Sequence, residues 1–559
     1  MSTSKGKIIS SVVGYGALSW GLIQVLSTIV PAFELPSFVL TWSIVIVIIL
    51  FPFYLILVWK RPNLLNVNSL YSIESKNDSI PSDDINRVLI SKFKILRGDT
   101  HTDFLAVSLP EAIANALIGI KKLSVQIDTT DSISNFSNQQ LIEFSNKRKL
   151  NAILTGSILA IDNQVRISTT LVEQPSNSVV WTESTQSLVG DLFELQDLIS
   201  RKIIKSLELK LSDEERLGME KKNTKSPEAY ELFLKANELS HQVDKWRDAK
   251  DVYISCLEKD PTFSSAMARL ARCYRVLGKY HFRGDDSIRY LAMSEAYISH
   301  SLRLDPQSDL AIGIYTQLLV DNGKSIEALK TLVKRINVSN SNAHLFASLV
   351  HVLRFSGLLT ESIEADRVAR SIDSTVLTSI GHTHFMLQNY SQAKEFIKGD
   401  IGYLEAVSLS AMNLNDEAID KLKINESRVD SEQLKAYLRS LKFALMGDKQ
   451  ESLRNLEIAF TDSNDAEALY YLVRTYAYLG EEQLAIDGLT KVVEKGYYQY
   501  MAFESDPWLE SIRTHDAYKE LLEQAIRLSA ESVIALQSIT INDANLAAIF
   551  KIKQDRVLA

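Results

Sequence analysis

Hydrophobic and polar positions along these 559 residues change period twice. Up to Trp59 the apolar residues run together. Ile8 to Val30 is apolar with scattered small and polar residues, and Phe38 to Trp59 (FVLTWSIVIVIILFPFYLILVW) is apolar throughout. At 1.5 Å per residue the second run spans about 33 Å, close to a bilayer core, and predicts a membrane helix. The first run has no small-x-small cleavage site and passes across Pro31 to Pro36 straight into the second, so the two predict a helical hairpin rather than a signal peptide. Asn63 to Asn86 is polar without a sustained period and reads as a linker. Strands and helices then alternate. Arg87 to Leu96, Leu123 to Asp128, Ala152 to Ile161, Gln164 to Glu173 and Ser178 to Thr185 carry strand patterns, with turn signals at Asp162-Asn163 and Pro175-Ser176-Asn177. Leu109 to Ile120, Asn138 to Lys149 and Leu188 to Leu211 carry helical ones.

From Ser226 the apolar spacing is helical. Ala229 to Leu239 pairs with Trp246 to Leu257, and Ser264 to Leu277 pairs with Ser287 to Leu304 across an insertion, KYHFRGDD. A small residue then recurs five positions behind each helix break: Gly323 and Ala328, Gly357 and Ser362, Gln388 and Ala393, Asn413 and Ala418, Gly447 and Ser452, Gly480 and Ala485. The breaks are 34, 31, 25, 34 and 33 residues apart. A period near 34 with paired helices is the signature of a tetratricopeptide (TPR) solenoid, here of about eight pairs with two shortened units. Asp260-Pro261 and Asp305-Pro306 stop helices because proline cannot continue the hydrogen-bond ladder. Asp506 to Leu522 is expected to cap the last apolar face, and the tail from Leu528 shows no clear period. The fold class is therefore multi-domain and mainly α. It comprises a transmembrane helical hairpin (1–62), a linker (63–85), a small α/β domain (86–215), a TPR α-solenoid (222–500) and a cap with tail (501–559).

Charge sets the orientation. Lys5 and Lys7 precede the hairpin and Lys60 and Arg61 follow it, while its connection holds only Glu34. The positive-inside rule then puts both ends, and the large soluble body, in the cytoplasm. Cys256 and Cys273 are the only cysteines, so no disulfide framework is expected and a reducing compartment fits. A net charge of −8, with 46% hydrophobic and 23% charged residues, is that of an ordinary globular body and argues against nucleic-acid binding driven by bulk charge.

Several stretches together carry a family resemblance. Gly156-Ser157, Val165-Arg166-Ile167, Val180-Trp181 and the run Asp191 to Asp197 (DLFELQD) resemble the TolB amino-terminal-like domain found in bacteria between a membrane hairpin and a run of TPRs. The PAF-x-LP connection of the hairpin and the closing DPWLESIR…YKELL near Asp506 to Leu522 are similar to the same proteins. The resemblance implies a two-pass protein of the bacterial inner membrane with its soluble domains in the cytoplasm. Relatives often carry an adenylate-cyclase, kinase or winged-helix output domain ahead of the hairpin. This chain starts within a few residues of its first span, so no such output is expected. Its first strand departs from the family, with Lys92 and Lys94 where an apolar strand ending in proline is usual.

Catalytic constellations are sparse. Gly323-Lys324-Ser325 resembles the end of a phosphate-binding loop, but Leu318 stands where that loop needs glycine, and no strand precedes it. His382 and His384, like His344 and His351, lack the spacing of helical zinc ligands and have no thiolate cluster beside them. No enzyme activity, cofactor or metal is expected. The TPR register places Arg272, Arg275, His351, Arg354, His382 and Arg474 on the concave groove. Basic groups there suit an acidic peptide or a free C-terminal carboxylate, since arginine offers paired donors to a carboxylate, although solvated or internally paired charge is the plainer alternative. Leu270, Tyr274, Tyr315, Phe346, Leu349 and Leu353 fall on packing positions. The function that follows is a membrane scaffold holding a protein or peptide in its groove and touching lipid through residues 8–59, without nucleic acid. Self-association is left open. The alternative is a sensor whose α/β domain binds a small ligand and modulates the solenoid.

Overall fold

The computed structural model describes residues 86 to 554 apart from short connections, the longest being 98–101, 129–132, 217–223, 397–401 and 461–464. The expected hairpin and most of the linker lie outside the described residues. Among the described residues no helix is long and apolar enough to cross a membrane.

The first part is a six-stranded sheet with helices on both faces. Its elements are β1 (Asn86–Ser91), β2 (Lys94–Arg97), α1 (Leu105–Leu117), β3 (Leu123–Asp128), α2 (Asn138–Arg148), β4 (Ala152–Ile161), β5 (Gln164–Glu173), β6 (Val179–Leu188) and α3 (Leu192–Ser206). Strand order is β3-β1-β4-β5-β6, parallel through β4 and antiparallel beyond it, with β2 also beside β4. β1 is apolar on both faces because Val88 and Ile90 meet α1 while Leu89 meets the side covered by α2. The single strand expected over Arg87 to Leu96 is instead two. Phe93, 1% exposed, turns into the core against Gly156, where a Cβ would stand 2.7 Å from its ring. Lys94 accordingly points outward.

Helix α1 begins four residues before the expected start and holds Pro110 inside it. Proline leaves the Ala106 carbonyl without its helical donor. The Phe93 amide fills that place at 2.9 Å, so the break between β1 and β2 and the proline in α1 satisfy each other.

Sixteen helices follow, pairing two by two into eight among the described residues. They are α4 (Pro227–Leu239) with α5 (Trp246–Lys259), α6 (Ser264–Tyr280) with α7 (Gly284–Leu304), α8 (Asp309–Asp321) with α9 (Ser325–Ile336), and α10 (Ala343–Phe355) with α11 (Leu359–Ile372). The rest are α12 (Ile380–Met386) with α13 (Tyr390–Glu395), α14 (Tyr403–Ala411) with α15 (Asn415–Glu426), α16 (Glu432–Leu445) with α17 (Lys449–Phe460), and α18 (Ala466–Tyr478) with α19 (Glu482–Glu494). The turn residue between partners is left-handed at Gly323, Gly357, Gly447 and Gly480, and also at Gln388 and Asn413, whose φ values are 59° and 62°. The small residue five positions on is fully buried in all six pairs, which lets the two helices close together. The two ends of the insertion KYHFRGDD are helical and extend α6 and α7 to 17 and 21 residues, with only His281, Phe282 and Arg283 between them. Ser287, Ser294 and Ser301, one heptad apart on α7, donate to the carbonyls of Gly278, Ala271 and Ser264 and staple that long pair.

The solenoid closes on itself. After α20 (Tyr500–Ser505) and a 3-10 turn, α21 (Asp516–Gln537) runs through the tail and packs against α9 as well as α19, while α22 (Ala544–Gln554) lies on α11. Ser325 donates to the Gly496 carbonyl at 3.0 Å, Tyr498 N to the Phe355 carbonyl at 3.0 Å, and Asn337 to the Thr540 carbonyl at 2.8 Å. One apolar core runs from α8 to α22. At the other end the sheet domain shares its core with the first helices: Tyr230 and Leu234 of α4, Cys256 of α5, Phe263 just before α6 and Ala266 of α6 join α1 and α3.

Candidate functional site

The inner face of the closed solenoid carries an unusual load of buried charge, and α18 is its hub. The Asp465 side chain caps this helix, accepting from the backbone amides of Glu467 and Ala468, and Glu467 sits in the first turn, where a carboxylate is favoured. Lys279 of α6 reaches Asp321 at 2.7 Å and Asp465 at 3.0 Å, Tyr280 donates to Asp465 at 2.9 Å, and Arg275 grips both oxygens of Asp321. Arg354 of α10 forks onto Glu467 at 2.7 and 3.0 Å, with Tyr497 donating to the same carboxylate at 3.2 Å. His382 lies 3.1 Å from the Tyr471 hydroxyl and 3.7 Å from Glu467. At the far end of α18, Arg474 pairs with Asp506, which also accepts from Tyr470 at 2.8 Å.

Burial alone would neutralise these groups; the partners keep them charged. Burial works against the Lys279 ammonium, but Asp321 and Asp465 outweigh it and raise its pKa. Burial likewise opposes the Asp465 carboxylate, yet Lys279 and the helix amide of Ala468 hold it well below the usual range. Glu467 is held low against burial by Arg354 in the same way. His351 is the exception. Burial, then the Arg354 guanidinium, push its pKa well below the ordinary value, so it stands neutral among charges, its Nε2 buried without a hydrogen-bond partner.

Five of the six groove residues read from the sequence therefore meet in this network. Arg275, Arg354 and Arg474 already hold carboxylates of their own chain, and Arg354 and Arg474 are each 1% exposed. His351 and His382 flank the Arg354–Glu467 pair. An incoming acidic peptide would have to displace Asp321, Glu467 and Asp506, so these arginines serve the closure. The sequence reading omitted those acids because their distance in sequence, 113 residues for Arg354 and Glu467, hides the pairing. Asp465-Ala466-Glu467 at a helix start was the available signal. Arg272 stands apart: it is half-buried, forms no ion pair among the described residues, and has Arg269, one turn earlier, as its charged neighbour. No cluster of three or more histidine, cysteine or acidic side chains suited to a metal occurs among the described residues.

No family model matches this chain. It is 23% identical over 186 residues to "Putative adenylate cyclase 3" of Rhizobium meliloti (strain 1021), a match covering 33% of this chain and 32% of that protein. The chain thus spans about a third of the length of the curated relative it matches. Among solved structures it is similar to the APC/C hetero-tetramer Cut9-Hcn1, at 12% identity and a TM-score of 0.32, covering 65% of this chain and 84% of that one. It is also similar to a monomeric IFIT1 mutant with Gppp-AAAA, at 13% identity and a TM-score of 0.29, covering 60% and 76%. The human IFIT1 dimer with m7Gppp-AAAA gives 15% identity and a TM-score of 0.28, covering 66% and 78%. Scores of this size leave the assignment of helical repeats to the helix pairs themselves.

Proposed function

We infer that this protein is a scaffold that holds a protein partner rather than transforming a substrate. The observation that carries the reading is the stack of paired helices, an architecture that multiplies contact surface and offers few buried reactive groups. The apolar runs of residues 8–59 and the lysines and arginine flanking them support anchoring at the cytoplasmic face of a bacterial inner membrane, where tethering raises a partner's effective concentration. Crosslinking in native membranes, followed by partner identification and by protease treatment of intact and opened cells, tests both parts. Absence of any specific crosslinked protein removes the scaffold, and cleavage of the body from outside intact cells removes the topology.

A second reading, a sensor in which a small ligand of the sheet domain tunes the solenoid, has its own support. A cleft of about 540 Å³ lies between β5, β6 and α3, lined by Gln164, Thr185, Gln186, Glu194 and Leu198 among others. The core shared with α4 to α6 would carry a change in the sheet to the first repeats. Thermal stabilisation of the full chain by one member of a metabolite panel, lost in Gln186→Leu, favours it; a flat panel counts against it.

A further inference from the structure

The inner face of the early solenoid is uneven in charge. Arg275, Lys279, Arg354 and Arg474 all end on carboxylates. Arg269 and Arg272, on the same helix α6, do not: among the described residues neither forms an ion pair or a side-chain hydrogen bond, and the Arg269 Nε is buried without a partner. Both are half-buried, so they lie among protein atoms yet keep part of their surface open.

Among the described residues no carboxylate pairs with either of them. Tyr253 faces both guanidinium groups, but it is fully buried, its pKa is raised by that burial, and its hydroxyl donates to Asn237 at 2.6 Å. Cys273 lies beside them with its thiol pushed up to about 11 by burial, hence neutral, and Lys250 nearby adds positive charge. From α10, His344 stands near Arg269 as an exposed residue, and an imidazole supplies no negative charge in either protonation state. The carboxylates that face His344 have other partners: Glu111 pairs with His241 at 2.8 Å, and Asp373 accepts from Thr375 and feels Arg148. Burial first, and then Arg269, lower the Arg272 pKa, the mark of a cation held without compensation. Arg275 and Lys279, the other cations of α6, are compensated by carboxylates; this pair is not.

We propose that Arg269 and Arg272, with His344 beside them, form a binding site for a phosphate monoester. Two guanidinium forks carry about two positive charges, which a phosphate monoester, at about −1.5 to −2 near neutral pH, balances better than a single carboxylate. Two free arginines on a chain of net charge −8 do not make the phosphate track that a nucleic acid needs. The phosphate can come from a phosphorylated segment of a protein partner or from a small phosphorylated molecule. The first source rests on the scaffold reading; the second does not.

The test is calorimetric titration of the purified full chain with a phosphoserine peptide, its unphosphorylated twin and free O-phosphoserine, on wild type, Arg269→Gln and Arg272→Gln. The expected result is binding of phosphorylated probes only, weakened tenfold or more by either substitution. Tighter binding of the peptide than of O-phosphoserine assigns the site to a protein segment, and equal binding assigns it to a small molecule. Equal affinity for the peptide and its unphosphorylated twin, or affinity unchanged in both variants, overturns the site. A thermal melt guards against misfolding. With no internal partner to lose, Arg272→Gln should melt within about 2 °C of wild type without ligand, whereas Arg354→Gln should melt far lower. A drop in Arg272→Gln as large as that in Arg354→Gln would assign Arg272 a structural role and overturn the proposal. Failure here with a specific partner still crosslinked would leave the scaffold standing.

Discussion

At the scale of single residues, identical sequence signals have unequal worth. Gly357 and Gly447 are both helix breaks with nearly the same φ, 75° and 77°. Around Gly447 a Cβ would meet nothing within 4 Å; at Gly357 it would stand 2.4 Å from the Tyr498 carbonyl and 2.8 Å from the Ser529 hydroxyl. Gly447→Ala should therefore cost only the left-handed conformation, about 1 kcal/mol, while Gly357→Ala adds a backbone clash at the closure and should cost clearly more in denaturant titrations. Equal losses would mean that the closure yields freely at that point. The buried arginines behave alike. Removing one partner strands the other, so Arg354→Met and Glu467→Gln are each expected to destabilise by roughly 3–5 kcal/mol. The double variant should recover a large part of that loss, because no unpaired charge remains. Additive losses in the double variant would show that the two side chains do not act as a pair.

At the scale of elements, helix α10 combines packing and titration. Its apolar positions Phe346, Leu349 and Leu353 are fully buried, whereas His344 and His351, one heptad apart, are exposed and half-buried respectively. Arg354 on the same helix, Arg275 and Lys279 from α6 and Glu467 from α18 face His351. Its folded pKa is depressed, so below the ordinary value near 6.5 the unfolded chain takes up a proton that the native state refuses. Stability should then fall as pH drops from about 6.5 towards 5, by up to about 1.4 kcal/mol per pH unit for one such histidine. The raised Asp373 carboxyl acts in the opposite sense, because the folded state holds its proton more tightly than the unfolded chain does. Loss from Asp465 and Glu467, whose pKa values are lowered, begins only below their ordinary range near 4. His351→Asn should flatten the upper window in urea titrations at several pH values; an unchanged slope would acquit the imidazole. Elements were the most legible level of this molecule. Alternation located Leu123–Asp128 and Gln164–Glu173, and six left-handed turns fell on the six helix breaks. What stayed hidden depended on remote partners: Pro110 suggests a late helix start until Phe93 takes the Ala106 carbonyl, and KYHFRGDD conceals how far α6 and α7 extend until three serines of α7 fasten it along α6.

For the whole molecule, the closure of the solenoid decides how it should unfold. An open ribbon is held by contacts between neighbouring repeats, so its ends fray and it loses structure pair by pair. Here α21 bridges α9 and α19, α22 covers α11, and Lys279 ties α6 to α8 and α18. Period and composition could not reveal this, because the residues that meet are up to 206 apart and the acids of α18 stand where any helix start would tolerate them. The same closure turned basic groove positions into internal pairs and left Arg269 and Arg272 as the cations without a carboxylate on α6. If the closure governs stability, amides of α9 to α11 and of α18 to α21 should exchange with deuterium in one cooperative step, with similar opening free energies, rather than in order along the chain. Gly357→Val, which drives a branched side chain into the Tyr498 carbonyl and Ser529, should split that step. Exchange of α21 and α22 should rise by a factor of ten or more while the sheet strands keep their protection, and the hydrodynamic radius should grow. Sequential exchange from the C-terminal end in the unaltered protein would show that the contacts across the closure contribute little, and that neighbouring repeats alone hold the solenoid.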